Sequence, residues 1–201
     1  MSAEEWDRRY AGRELLWTAA PTRFLVAEAT DLVRGRALDL ACGEGRNAVW
    51  LAEQGWRVTG VDFSQVGLRK ARLLAERRGV EVAWVCADLV GYRPDRGAYE
   101  LVIVFYLQVP AHERRAVVRA AADAVAPGGT LLVVAHDSSN IERGYGGPQD
   151  PRVLYDAPAV VADLEGTGLE VERAEVVERR VDDPAAGGRS ALDVLVRARR
   201  G

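Results

Sequence analysis

Lysine is almost missing from this chain: of its 27 basic side chains, 26 are arginine and one is Lys70. Schiff-base and other lysine-dependent chemistry has nothing else to use. The arginines scatter over every segment, which reads as coding bias, and clusters such as Glu76 to Arg78 and Arg197 to Arg200 read as solvated helix and strand ends. Cysteine is equally scarce, with Cys42 and Cys86 alone. They fall at the ends of two strands that have a third between them, about 10 Å apart, too far for a disulfide, and neither has a metal-type partner spacing. No apolar run approaches the length of a membrane span, and the opening MSAEEWDRRY lacks the apolar stretch of a signal peptide. These absences predict a cytoplasmic, reduced protein with no membrane partner and no metal. A net charge of -3 and a pI near 5.6 argue against nucleic acid as the main partner, because the overall field repels polyphosphate. With two histidines, candidates for a general base are few.

What is present is ordinary for a folded domain: 48% apolar and 28% charged residues over 201 positions. That length suits one domain able to bury about 70% of its extended-chain surface without a disulfide. The most informative stretch is ALDLACGEGRNA, Ala37 to Ala48. An acid, Asp39, sits inside an apolar strand, Gly43 and Gly45 make a turn, and a helix runs from Arg46 to Gln54. Glycines lack the Cβ that keeps a ligand from the backbone, and helix amides behind them offer donors and a positive dipole end. A nucleoside-containing cofactor is the expectation. The glycines do not choose the cofactor, since Gly43, Gly45 and Ala48 also satisfy the dinucleotide pattern GxGxx(G/A).

Apolar runs alternate with helical patterns from residue 35 to residue 135, the mark of a doubly wound α/β sheet. Strands are predicted at Ala37 to Ala41, Arg57 to Val61, Glu81 to Cys86, Leu101 to Phe105 and Thr130 to Ala135. Ser64 caps a helix that Gly79 stops, and a second helix covers Ala111 to Val125 with Pro127-Gly128-Gly129 as its terminator. Asp156 caps a short helix to Glu165. Two β-rich segments follow, Leu169 to Val181 and Ser190 to Ala198, joined by a connection too short for a parallel crossover, so they form an antiparallel hairpin. The fold class is therefore α/β, a Rossmann-like seven-stranded sheet with helices on both faces, parallel except for the C-terminal hairpin. A single domain is expected, with residues 1–30 as an N-terminal lid, 35–135 as the cofactor-binding core, 136–156 as a substrate-side loop and 169–198 as the hairpin.

Four features follow strands in order and converge on one crevice, because parallel strands bring their carboxyl ends to one edge. The first is Asp39 with its glycine turn. A lone buried carboxylate is costly without partners, which favours function over a structural acid. The second is Asp62 in VTGVDFS, beside Phe63, placed to accept from both hydroxyls of a ribose. The third is Asp88 in CADL, beside Leu89, placed to accept from an adenine amino group. Taken singly, Asp62 could cap a turn and Asp88 could be a loop residue. The fourth is the end of the strand at Phe105, Tyr106 and Leu107.

The motifs LDLACGEG, GVDFS, CADL and APGGTLLVV, with the closing hairpin, resemble the class I S-adenosylmethionine-dependent methyltransferases. WDRRYAGRELLWTAAP followed by CGEGRNAVWLAEQGW is similar to the small tellurite-resistance and thiopurine-type branch. The resemblance implies that Asp39 and the Gly43 to Gly45 turn hold the methionine end of S-adenosylmethionine, that Asp62 binds the ribose diol, that Asp88 and the Leu89 backbone read the adenine, and that the backbone near Tyr106 faces the amino group. It implies that Trp17, in an aromatic segment from Trp6 to Pro21, covers the cofactor. Ala41 stands where the family usually has its first glycine, so a slightly altered turn is expected. The product would be S-adenosylhomocysteine.

Methyl transfer from a sulfonium consumes positive charge and needs alignment more than acid or base, least of all with a thiolate or chalcogen oxyanion. An acceptor bearing a proton needs a base. His136 after the fifth strand and Tyr106 are read as substrate contacts, and Arg46 as solvent-facing, with contact to a carboxylate as its alternative. The expected acceptor is a small molecule: a thiol, a chalcogen oxyanion, or a small xenobiotic or metabolite. The expected assembly is a monomer or homodimer. The rivals are a nicotinamide oxidoreductase, which the missing YxxxK pair and the terminal hairpin oppose, and a non-catalytic module that only binds S-adenosylmethionine.

Overall fold

The computed structural model describes every residue except Met1, Arg13, Glu14, Trp17, Asp182 and Asp183. Its centre is a seven-stranded sheet in the order β3-β2-β1-β4-β5-β7-β6, built from β1 (Arg36–Leu40), β2 (Arg57–Asp62), β3 (Ala83–Cys86), β4 (Tyr99–Phe105), β5 (Val125–His136), β6 (Leu169–Arg180) and β7 (Ser190–Arg200). The first five strands are mutually parallel. β7 runs against both β5 and β6, so it slots between them and alone opposes the sheet direction. The expected hairpin is there, with its second strand inside and its first strand at the edge. That edge reads LEVERAEVVERR, where alternating charges guard an unpaired ladder.

Strands buried on both faces need apolar side chains, and Leu101 to Phe105 supply them throughout while Ala37 to Leu40 supply them at every position but Asp39. Leu38, Leu40, Val102 and Val104 face one core, under α5 (Ala111–Ala124) and α7 (Ala157–Leu164). Ala37, Leu101, Ile103 and Phe105 face the other, under α2 (Arg23–Ala29) and α3 (Arg46–Glu53). Ser64 and Gly79 bound α4 (Gln65–Arg78) as expected: the Ser64 hydroxyl accepts from the Gly67 amide, and Gly79 is left-handed. Asp156 likewise caps α7 at Ala159.

Two expectations need correction. Pro127-Gly128-Gly129 does not separate α5 from β5; the strand begins at Val125, directly after the helix, and the three residues lie within it at a register shift opposite Tyr99 and Leu101. Proline and glycine mark a bulge here as readily as a turn. The segment 136–156 is only partly loop: it holds α6 (Asn140–Arg143) and a 3-10 turn at Pro151–Val153, and Asp137 bridges to Tyr155. At the other end of the chain, α1 (Ala3–Tyr10) is closed by a capping box between Ser2 and Glu5. The cysteines are free, as their separation requires. Among the described residues no helix is long and apolar enough to cross a membrane.

Two helices are tied by charge inside the core. Arg114 Nε of α5 donates to Asp163 Oδ2 of α7 at 2.7 Å, with both side chains under a tenth exposed, and the guanidinium lies 4.8 Å from the Tyr155 ring centre. Removing one partner leaves the other charge buried. R114A is therefore expected to cost about 3 kcal/mol of stability in urea denaturation, and the paired change R114L with D163L is expected to cost less.

Candidate active site

The site is assembled at the carboxyl edge of β1, β2, β4 and β5, where antiparallel β7 begins. Its first corner is the turn from β1 into α3. The cap position of α3 is Gly45, left-handed and without a side chain, so the exposed amides of the first turn need another acceptor. Asp39, one strand residue short of the turn, receives the Ala48 amide. Its other oxygen, Oδ2, is buried and has no hydrogen-bond partner. Burial, with the neighbouring Asp62 charge, pushes the Asp39 carboxyl up to about 8 against partial relief from Arg46 and Ala48. A buried acceptor of this kind calls for a cationic or hydrogen-bonding ligand group.

The turn itself is strained where the sequence departs from glycine. Ala41 has φ 65°, beside Gly43 at 54° and Gly45 at 82°. A Cβ on Gly45 would meet Ala71 Cβ and Trp84 Cη2 at 2.7 Å, so α4 and β3 close on that glycine. A Cβ on Gly43 would stand 2.9 Å from the Tyr10 hydroxyl, which brings the N-terminal helix over the turn.

Asp62 ends β2 as expected, and it does more than wait for a ribose. Its two oxygens accept from the Gly43 and Ser64 amides, both at 2.8 Å, so it ties the glycine turn to the start of α4. Burial raises its pKa, opposed by the Ser64, Gly43 and Phe63 amides. Each carboxylate oxygen can accept more than one bond, so the capacity for a diol remains. Phe63 beside it is half-buried, and its carbonyl is 3.6 Å from Cys86 Sγ. Asp88 is exposed on the same edge, with Oδ1 accepting from the Val90 amide, and Leu89 is buried under it.

The N-terminal segment is fastened to this corner. Asp7 Oδ1 accepts from the Ser64 hydroxyl and the Val66 amide, and Tyr10 is buried. Glu44 in the turn accepts from the Leu16 amide and from Lys70, each at 3.0 Å. Asn47 in α3 accepts from the Thr22 amide and hydroxyl, fixing the start of α2. Trp17, expected over the cofactor, lies outside the described residues.

The second half of the edge is where sequence reasoning missed residues. Tyr106 follows β4 at φ 56°, with Ala41 the other non-glycine residue in the left-handed region among the described residues. Its hydroxyl donates to Asp193 Oδ2 at 2.9 Å, and Arg179 Nε donates to the same oxygen at 2.7 Å. Burial and the Asp193 charge hold the phenol well above its ordinary value. His136 Nδ1 lies 3.1 Å from Asp193 Oδ1. Neither Asp193 nor Arg179 was anticipated, though ALDV at 191–194 repeats the signal of ALDL at 37–40, an acid within an apolar strand. Arg46 is also corrected: its side chain is half-buried, within electrostatic reach of Tyr106, Arg179 and Asp39, and burial lowers its pKa. It turns inward because α3 starts directly beneath the crevice. A separate open cleft of about 800 Å³, lined by Arg36, Trp56, Arg57 and Trp84, lies at the opposite, amino end of the strands and contains none of these groups.

Residues 37–129 match the family model described as "Methyltransferase domain". Solved structures agree over nearly the whole chain. N-methyltransferase NodS from Bradyrhizobium japonicum, in complex with S-adenosyl-L-homocysteine, superposes with TM-score 0.74 at 16% identity, covering 98% of this chain and 97% of that one. TehB from Haemophilus influenzae superposes with TM-score 0.73 at 15% identity, covering 99% and 67%. The fold is that of the class I methyltransferases. Among curated proteins, a ubiquinone biosynthesis O-methyltransferase from Shewanella pealeana is 34% identical over 135 residues, 66% of this chain and 57% of its own. The chain spans between 32% and 57% of the length of the curated relatives it matches. TehB stands as one structural neighbour beside methyltransferases such as NodS, so the tellurite-type branch is not singled out.

The strained turn yields a test. Alanine in the left-handed region costs about 1 to 2 kcal/mol, and glycine returns up to about 1 kcal/mol of that as chain entropy. A41G is expected to be neutral or stabilising by up to about 1 kcal/mol in a thermal melt, whereas A41V, whose branched Cβ crowds the same backbone, is expected to destabilise.

Proposed function

We propose that this protein is an S-adenosylmethionine-dependent methyltransferase that acts on a small-molecule acceptor. The observation that carries the reading is the orphaned, buried Oδ2 of Asp39 at the tight glycine turn between β1 and α3. The cofactor supplies an electrophilic methyl group on a sulfonium and carries an ammonium, a carboxylate and a ribose diol. The residues fit that inventory one by one. Asp39 Oδ2 takes the ammonium, directly or through a water, and the half-buried Arg46 takes the carboxylate. Asp62 accepts from the diol with the lone pairs its two amides leave free. Asp88 and the Leu89 backbone read the adenine beside Phe63, and the Tyr106 backbone borders the amino group. Residues 1–30, Trp17 included, act as the lid over this end, and 136–156 as the acceptor-side loop. Closure matters because alignment and exclusion of water supply much of the acceleration.

The curated relatives' names include both ribosomal RNA and small-molecule methyltransferases, so the acceptor class rests on this chain's own surface. Its net charge of -3 opposes a polyphosphate partner. A thiol, a chalcogen oxyanion, or a small metabolite or xenobiotic remains the proposed range.

Calorimetry tests the reading. S-adenosylmethionine and S-adenosylhomocysteine are expected to bind and NAD is not, and D62A is expected to weaken binding at least tenfold, about 1.4 kcal/mol, through lost bonds to the diol. NAD binding, or an unchanged D62A affinity, contradicts the assignment. A pH dependence follows from Asp39. With its carboxyl at about 8 it is mostly protonated in the free protein near pH 7, and pairing with an ammonium requires the ionised form. Binding at pH 7 is expected to release a proton, seen as a dependence of the apparent enthalpy on buffer ionisation heat, and to tighten as pH rises toward 8. D39N is expected to abolish both effects.

A further inference from the structure

His136 closes β5 directly opposite Asp193 of β7, its register partner. Asp193 is fully buried, yet its pKa is lowered, because the contacts to His136 and Arg179 outweigh the cost of burial. The carboxylate gathers three donors from three elements: the Tyr106 hydroxyl beyond β4, Arg179 Nε on β6, and His136 Nδ1. The Nδ1 contact is 3.1 Å long, and neither atom makes a hydrogen bond; in ligand-free sites such pairs commonly tighten only when a ligand is bound. An ionised carboxylate at Nδ1 keeps the proton on that nitrogen and leaves the lone pair on Nε2. Nε2 has no partner among the described residues, and it is not one of the buried unpartnered atoms; the side chain is 14% exposed.

The ring is also held in place. On one side Tyr106 lies 5.2 Å away between ring centres. On the other, the backbone at Gly147, left-handed at φ 76°, presses so close that a Cβ there would come within 2.9 Å of the imidazole. Of the groups around His136, Asp193 is its ion-pair partner, and Tyr106 and Arg179 are each already bonded to Asp193. An imidazole with a fixed tautomer, a buried counter-charge and one open nitrogen is more than a substrate contact needs.

We propose that His136 is the general base of the methyl transfer, that Asp193 is its positioning residue, and that the acceptor is therefore a hydroxyl or amine that carries a proton. The proposal rests on the methyltransferase reading and narrows it, setting thiolates and oxyanions aside. In the step, the acceptor oxygen or nitrogen forms a bond to the methyl carbon, and the donor's carbon–sulfur bond breaks with its electron pair staying on sulfur. The acceptor proton passes to His136 Nε2, and the resulting imidazolium, stabilised by Asp193, loses it to water.

The test uses the full chain with S-adenosylmethionine and four acceptors: catechol, 4-hydroxybenzoate, benzylamine and thiophenol. Turnover is expected on a hydroxyl or on the amine, and the arms tell which. H136A is expected to lower kcat about 100-fold or more while S-adenosylhomocysteine affinity is unchanged, to remove the acid limb of kcat/KM, and to be partly rescued by added imidazole. D193N is expected to lower kcat with little change in KM. Because Asp193 joins three strand ends and its loss could unfold that edge, H136Q repeats the test with the carboxylate intact, and retained S-adenosylhomocysteine binding certifies the fold. Methylation of thiophenol alone, wild-type turnover in H136A, or no turnover on any acceptor by a protein that binds the cofactor overturns the proposal. A wild-type protein that binds neither S-adenosylmethionine nor S-adenosylhomocysteine instead overturns the methyltransferase reading beneath it.

Discussion

Asp39 and Asp62 stand at the ends of neighbouring parallel strands, both about 95% buried or more, and the cofactor end of the molecule is organised around keeping two carboxyl groups out of water there. The solution is unequal. Asp62 receives the Gly43 and Ser64 amides on separate oxygens, whereas Asp39 keeps one oxygen for the Ala48 amide and leaves the other with none. Amides reach the first acid because the chain turns left-handed at residues 41, 43 and 45, which is why these positions cannot carry ordinary side chains without cost. The same turn draws in Tyr10, Glu44 and Lys70, so the N-terminal segment is anchored through the glycine turn.

Across the edge the logic is mirrored with the opposite outcome. Asp193 is the third carboxylate inside an apolar strand, and it is met by side chains instead of backbone amides: a tyrosine and an arginine donate to one oxygen, and a histidine stands 3.1 Å from the other. Charge compensation lowers its pKa where Asp39 is raised. One end of the crevice is thus a buried acid short of a donor, suited to a cation, and the other is an acid with one oxygen accepting two hydrogen bonds and the second facing an imidazole. Reactants placed between them meet fixed groups on strand ends, which pre-organises the site without a moving catalytic loop.

Much of this was legible in the chain because parallel strands convert sequence order into position. Asp39, Asp62, Asp88 and Tyr106 each follow or end an apolar run, so their convergence on one edge followed from the α/β alternation. Local chemistry was equally readable where one residue decides the backbone: Ser64 and Asp156 as caps, Gly79 as a helix stop. What could not be read depended on contacts between distant segments. Arg179 meets Asp193 because of the register between β6 and β7, and a bulge between Val171 and Arg173 shifts that register. Arg46 looked like a first-turn surface arginine because the groups it interacts with electrostatically, Tyr106, Arg179 and Tyr10, are far away in sequence. Pro127-Gly128-Gly129 has the composition of a terminator, and only the pairing of Val125 and Thr130 on either side of it with β4 places it within a strand. Asp193 was readable and missed, since its apolar setting matches that of Asp39.

The most direct test is a crystal structure of the protein with S-adenosylhomocysteine. The account predicts the amino group at Asp39 Oδ2 or one water from it, the ribose hydroxyls on Asp62 while Gly43 and Ser64 still donate to that carboxylate, and the sulfur directed toward the space bordered by Tyr106 and His136. A ligand elsewhere, or one bound at this edge with Asp39 Oδ2 still unpartnered, would contradict it.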